Sequence, residues 1–286
     1  MNMNEAAFYA KSADGTAVCG LCPHNCKVRE GSAGICGVRK NIGGRLYAAS
    51  YGQVSSIALD PVEKKPLSMF HPGKRILSVG GVGCNLRCPF CQNYEISLEY
   101  GGRALDYIAP ERLAGLAAES VGQGNIGVAY TYNEPFVGYE YIYDCAKLVR
   151  GRGLSNVIVT NGYINPGPLE KILPLIDAMN IDLKAFGGDF YKKLGGELDR
   201  VKETIELCHR SCHVEITTLL IPGENDCEGE MAQLAKWLAS LDPETPLHLT
   251  RFFPRYKYFG KMPAPQELVA KLAKTAGRHL KNVFPH

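Results

Sequence analysis

The sequence predicts an α/β fold organised on a parallel sheet. From about residue 75 onward, short apolar runs rich in Val and Ile alternate with helical patterns. The polar and Gly/Pro-rich interruptions follow the apolar runs, on the same side of each repeat. Parallel strands need crossovers of a dozen or more residues, and the helical stretches supply them.

In chain order the strands are expected at RILSVGG (75–81), NIGVAYT (125–131), NVIVT (156–160), AMNIDL (178–183), HVEITTLLI (213–221) and LHLTRFF (247–253). Each is apolar and bounded by Gly, Pro or polar residues, as strands covered on both faces are. Among the helices, PERLAGLAAESVG opens at Pro110, LEKILPLI follows Pro166 and Pro168, and EGEMAQLAKWLASL begins at Glu228. Six such units in succession imply a parallel sheet, either open or curled into a partial (β/α)6, TIM-like barrel; in a barrel the C-terminal strand ends carry the active site. On that rim fall the segment after Gly81, TYNEP (131–135), TNGY (160–163), DLK (182–184), IPGEND (221–226) and Phe253. Residues 1–74 read as a small Cys-rich appended domain, with strand-like RLYAAS and QVSSIAL before the basic, Pro-rich PVEKKPLSMFHPGK; residues 75–286 form the main domain.

The 286 residues carry a net charge of +3 and a pI near 8.2, with no block of like charge. Neither nucleic acid nor an anionic membrane is an expected partner. The N-terminus lacks a basic start and apolar run, and no segment approaches the roughly 18 apolar residues of a membrane span, so a cytoplasmic location is expected. In that compartment, eleven cysteines point to metals or redox chemistry more than to disulfides.

The stretch GVGCNLRCPFCQNYEIS, from Gly81 to Ser97, sets Cys84, Cys88 and Cys91 in a loop after the first strand. A closed tetrahedral site takes four protein ligands, whereas a catalytic site keeps a position open. A lone C-x-x-C reads as a redox pair or half a zinc site. The C-x3-C-x2-C spacing lets three thiolates reach three irons of one cubane, leaving the fourth iron free. Cys19, Cys22, Cys26 and Cys36 form a second group, spaced x2, x3 and x9 among glycines, sufficient for structural zinc or a second iron–sulfur cluster, with His24 as an alternative ligand. Cys145, Cys208, Cys212 and Cys227 read as ordinary thiols, and Trp237 as core.

CNLRCPFC resembles the signature of the radical S-adenosylmethionine (SAM) superfamily. CGLCPHNCKVREGSAGICGVR, YGQVSSIALDPVEKKPL, YTYNEP, VTNGYI and AMNIDLKAF are together similar to the radical SAM enzyme of the AmmeMemoRadiSam system, related to pyruvate formate-lyase activating enzymes. The resemblance implies a radical SAM barrel and a 4Fe-4S cluster on Cys84, Cys88 and Cys91 whose open iron chelates SAM. It further implies reductive cleavage to methionine and a 5′-deoxyadenosyl radical, which abstracts hydrogen from a protein or small-molecule substrate. A flavodoxin or ferredoxin is the implied low-potential electron donor. Asn133 and Glu134 stand where relatives bind the methionine amino group, and Lys184 suits its carboxylate, with Asp182 orienting it. Thr160 and Asn161 would reach the ribose, and Phe90 would pack on adenine. RFFP at 251–254 departs from the relatives' Arg-Phe-His-Pro, and Val159 stands where activating enzymes tend to have an acid. The competing class is an iron–sulfur electron carrier or redox sensor that never cleaves SAM; Glu134 with Lys184 favours the enzyme, since a carrier has no use for groups matching an amino acid's two charges.

Overall fold

The computed structural model describes residues 4–102 and 104–286. Its main sheet has eight strands: β1 (Ser56–Pro61), β2 (Arg75–Gly80), β3 (Asn125–Thr131), β4 (Ser155–Thr160), β5 (Ala178–Asp182), β6 (His213–Leu220), β7 (Leu247–Arg251) and β8 (Val283–Pro285). Their order in space is their order in the chain. All pair in parallel except β1, which runs antiparallel to β2. β1 does not pair with β8, so the barrel stays open among the described residues.

All six strands expected from apolar runs are present. The two additional strands form the edges. β1 lies within the segment expected to be appended, so the main sheet begins before residue 75. β1 has no fully buried residue, and β8 is three residues long. Neither carries the long apolar run of a strand covered on both faces.

The crossovers are α1 (Pro110–Glu119), α2 (Tyr139–Arg150), α3 (Pro166–Ile172), α4 (Leu198–His209), α5 (Glu228–Leu241) and α6 (Gln266–Ala276). Alternation along the strands sorts their side chains between two environments. Leu77, Val79, Val128, Tyr130, Ile158, Met179, Ile181 and Ile216 pack with the helices in the principal core. Their alternates point into the lumen. The β3–β4 approach is close enough that a Cβ at Gly127 would lie 1.8 Å from the Ser155 carbonyl oxygen, so glycine is required there.

The lumen is closed at the N-terminal strand ends by the chain between β1 and β2. Val62 and Leu67 of this strap are fully buried against Ile76, Ala129, Val157 and Ala178. Its backbone polar groups are met by side chains from the sheet. Asn180 Nδ2 donates to the Pro66 carbonyl at 2.8 Å, and Glu215 accepts from the Ser68 and Met69 amides at 2.9 and 2.8 Å. Glu215 also accepts from the imidazoles of His213 (2.9 Å) and His248 (2.6 Å).

The N-terminal strands form two three-stranded antiparallel sheets. Arg39, 1% exposed, ties them to α2 through Glu140 at 3.0 Å. Among the described residues no helix is long and apolar enough to cross a membrane.

Burial pushes the Glu215 carboxyl up, but its four donors outweigh that effect and hold it at about 2, against an ordinary 4.5. A depressed carboxyl stabilises the fold above its unfolded value, and the contribution is lost as pH falls toward the folded value. Urea unfolding should therefore show about 3 kcal/mol of stability disappearing between pH 4.5 and 2. In Glu215→Ala that acid-sensitive component should be absent.

Candidate active site

A cavity of about 450 Å³ opens at the C-terminal strand ends and continues down the lumen. Cys84, Cys88, Cys91, Phe90, Asn133, Glu134, Thr160, Asn161, Asp182 and Lys184, singled out from four separate sequence segments, all line it.

Two donors face the Cys84 sulfur: the Leu86 amide at 3.4 Å and Asn161 Nδ2 at 3.7 Å. Burial raises all three thiols, Cys84 well above its ordinary value and Cys88 to about 11. As free thiols they are neutral; a coordinated metal deprotonates such groups outright. Among the described residues no three His, Cys, Asp or Glu side chains converge on a point that would hold a single metal ion. A cubane is a wider object that takes one thiolate per iron, and three neighbouring thiols with N–H groups aimed at sulfur suit it. The cysteine loop therefore fits the cluster that its spacing suggests.

Glu134, 3% exposed, accepts from Phe136 N (3.1 Å), Thr160 Oγ1 (2.8 Å) and Asn161 N (2.8 Å). Burial nevertheless pushes its carboxyl up to about 7. Asn133 turns inward: Oδ1 accepts from the Gly81 amide, while Nδ2 donates to the Gly83 and Glu134 carbonyls. Its carboxamide thus fixes the cysteine loop, a different task from the ligand contact expected of it. Thr160 and Asn161 likewise spend polar groups on Glu134, Cys84 and Asn85.

Lys184 Nζ donates to Asp182 Oδ2 at 2.6 Å. Burial disfavours its charge, but its Asp182 partner outweighs burial and raises its pKa. Phe90, 4% exposed, stacks on Phe190 and leans on Tyr258. Phe253 is 53% exposed beneath the Arg251 guanidinium and does not line the cavity.

The sequence reasoning missed the lumen floor. Lys64, Lys65 and Pro66 of the strap line the cavity together with Thr217, Thr250 and Arg251. The adjacent lysines in PVEKKPL were the available signal, read there only as local basic character.

The N-terminal cysteines lie against the same loop. Cys19 and Cys36 are buried, Cys22 and Cys26 half-buried, and burial with the neighbouring Cys19 and Cys36 sulfurs pushes Cys22 up to about 12. A Cβ on Gly83 would sit 2.8 Å from the Cys36 carbonyl oxygen, and Gly83 has φ +88°. On the other side of Cys84, His24 Nε2 contacts the Asn85 carbonyl at 2.7 Å, so its ring is engaged with the cluster loop.

The radical SAM superfamily model matches residues 78–235, more than half the chain. The chain belongs to the radical SAM superfamily. This radical SAM enzyme is 42% identical over 270 residues to an uncharacterized protein of Methanocaldococcus jannaschii, covering 93% of this chain and 79% of that one. It is 27% identical over 228 residues to a second protein of that organism, named as a glycyl-radical enzyme activating enzyme, covering 74% of this chain and 89% of the other. The structure of QueE from Escherichia coli is similar in fold, with a TM-score of 0.51 at 13% identity over 83% of this chain and 94% of that one. SAM-cleaving radical chemistry is the enzyme's reaction class.

Asn85, 1% exposed, donates to the Tyr163 carbonyl at 2.7 Å and accepts from Asn161 at 2.9 Å. Asn85→Ala should cost about 1–3 kcal/mol in chemical denaturation by stranding both partners. Amide exchange should quicken in the cysteine loop and around His24 together.

Proposed function

We propose that Cys84, Cys88 and Cys91 hold a 4Fe-4S cluster whose fourth iron takes SAM, and that the enzyme abstracts hydrogen from a protein or small-molecule substrate. The observation that carries this reading is the grouping, in one cavity, of three thiols, a buried carboxylate and a half-buried ammonium. When bound, cluster and SAM supply a one-electron cleavage to methionine and a 5′-deoxyadenosyl radical.

The protein's own groups position and shelter that chemistry. Glu134 accepts from the methionine amino group, and Lys184, oriented by Asp182, donates to its carboxylate. Leu86 N and Asn161 Nδ2 stabilise negative charge on the Cys84 sulfur. Phe90 offers a flat apolar face for adenine. The strap bars water from the opposite end of the lumen, which suits a reactive intermediate. A low-potential flavodoxin or ferredoxin would be the electron donor.

Anaerobic reconstitution followed by detection of 5′-deoxyadenosine tests the reaction, and replacing any of Cys84, Cys88 or Cys91 by Ala should abolish it. Glu134→Gln and Lys184→Met should retain the cluster but lose tens-fold or more in SAM affinity, from the typical cost of about 2–5 kcal/mol for breaking a sheltered charge pair. The cluster's EPR response to added SAM measures this. Because Glu134 titrates near 7, SAM affinity should also fall about tenfold on going from pH 8 to pH 6, as protonation removes the acceptor. A flat profile would remove Glu134 from the binding site.

For the N-terminal group we propose a second metal centre on Cys19, Cys22, Cys26 and Cys36, in a unit packed against the cysteine loop. Its support is the spacing of the four cysteines and the influence of the Cys19 and Cys36 sulfurs on Cys22; the four thiols do not converge on one point, so a bound metal would have to draw them together. Metal analysis of a variant lacking Cys84, Cys88 and Cys91 should find retained zinc or iron; a metal-free protein would show that the four thiols are free.

A further inference from the structure

The lumen beneath the strand ends has a cationic floor. Lys65 is 3% exposed, yet it lines the cavity beside Lys64. Its ammonium donates to Asp60 Oδ2 at 2.8 Å and lies 3.5 Å from the Tyr132 hydroxyl, which donates to the same oxygen at 2.8 Å. Lys64 Nζ lies 3.8 Å from Asp60 Oδ1. Two lysines therefore share one carboxylate, and the group carries one net positive charge. An ammonium has three donors, and among the described residues the Asp60 bond with the long Tyr132 contact leaves one unused. Arg251, on the cavity wall, directs Nε to the Ala264 carbonyl and forms no ion pair among the described residues.

The floor is held rigidly. Tyr132 has φ +72°, a left-handed conformation costly for a tyrosine, and Asn93 Nδ2 of the cysteine loop holds its carbonyl at 2.8 Å. Its ring packs over Gly80, where a Cβ would come within 2.9 Å, and Lys65 Nζ sits 4.6 Å from the ring centroid. Strain of this kind persists where the surroundings over-determine it, and it concentrates at functional sites. Burial raises the Asp60 carboxyl, but Lys65 and Tyr132 outweigh it and hold Asp60 at about 2, so it is ionised at neutral pH. A plain structural ion pair would need one lysine for this carboxylate. Lys64 is solvated enough to need no partner, but the spare buried N–H of Lys65 calls for an acceptor that the described residues do not provide.

We propose that Lys65, oriented by Asp60 and Tyr132 and assisted by Lys64, binds an oxyanion of the substrate, a carboxylate or phosphoryl group, in the lumen beneath SAM. The inference rests on the proposed SAM site for its place in the reaction. A substrate presenting only an uncharged main chain would leave the Lys65 donor buried and unmatched, at the cost such groups carry.

The test uses anaerobically reconstituted holoenzyme with SAM, titrated with 13C-labelled acetate or with inorganic phosphate and followed by 13C or 31P line broadening. Wild-type enzyme should broaden at least one probe saturably. Acetate alone assigns a carboxylate, and phosphate alone a phosphoryl group. Lys65→Met should weaken that binding about tenfold or more while the cluster's EPR response to SAM keeps its affinity; Lys64→Met, at a more exposed position, should weaken it less. Glu134→Gln should lose SAM affinity and, in the absence of SAM, still broaden the probe, which separates failure of the SAM assignment from failure of this one. No saturable broadening in wild type, equal binding in Lys65→Met, or a loss of SAM affinity in Lys65→Met would each overturn the proposal.

Discussion

The clamp that Glu215 and Asn180 place on the strap determines what kind of chamber this sheet can be. An open parallel sheet has a lumen accessible from both ends. Here, Val62 and Leu67 fill one end with apolar volume, but a chain crossing a lumen brings backbone groups that must be satisfied. Glu215 and Asn180 meet the Pro66, Ser68 and Met69 backbone groups from lumen-facing positions on β6 and β5. Without those partners the strap would carry unpaired polar groups into the barrel, and the apolar contacts alone would have to offset their desolvation. With them the strap fills the N-terminal end of the lumen, and the cavity opens at the strand ends where the cysteines lie.

The same economy governs the mouth. Gly83 and Asn85 flank Cys84, and each touches the N-terminal unit: Gly83 at the Cys36 carbonyl, Asn85 at His24. Asn133 holds the loop from β3, and Asn161 reaches it from β4. These short amides fix the loop without adding charge next to sulfur. The position of Cys84 therefore depends on the N-terminal unit as much as on the barrel, and the two cysteine groups form one structural neighbourhood despite their separation in sequence.

Much of this was legible in the chain. The six central strands are covered on both faces, so their Val- and Ile-rich runs announce them, and the strand-end rule places Glu134, Asn161 and Lys184 on one rim with the cysteines from sequence alone. β1 and β8 were not legible as main-sheet strands because edge strands lack two buried faces; β1 has no fully buried residue at all. The floor escaped for a different reason. Lys65 enters the site from a strap that precedes the first central strand, and nothing local distinguishes a buried lysine from its solvated neighbour Lys64. Asn133 shows a further limit: its place in TYNEP was readable, but the direction of its carboxamide depends on the conformation of Gly81 and Gly83.

Burial acts on the cavity's ionisable groups in opposite senses, and this links structure to turnover. It keeps the three thiols protonated and lifts Glu134 to about 7, so the ligand-free mouth carries little negative charge. Lys184 stays charged because its Asp182 partner outweighs its desolvation. The site is thus poised to become charged when its partners arrive: metal would displace thiol protons, and an amino group would favour ionised Glu134. On the floor Asp60 is held ionised by Lys65 and Tyr132, while burial lowers the Lys65 pKa against the opposing pull of Asp60. A chamber with a ligand-dependent mouth and a lysine-bearing floor has two chemically distinct ends, and an anionic substrate held below would be oriented with its uncharged portion toward the mouth.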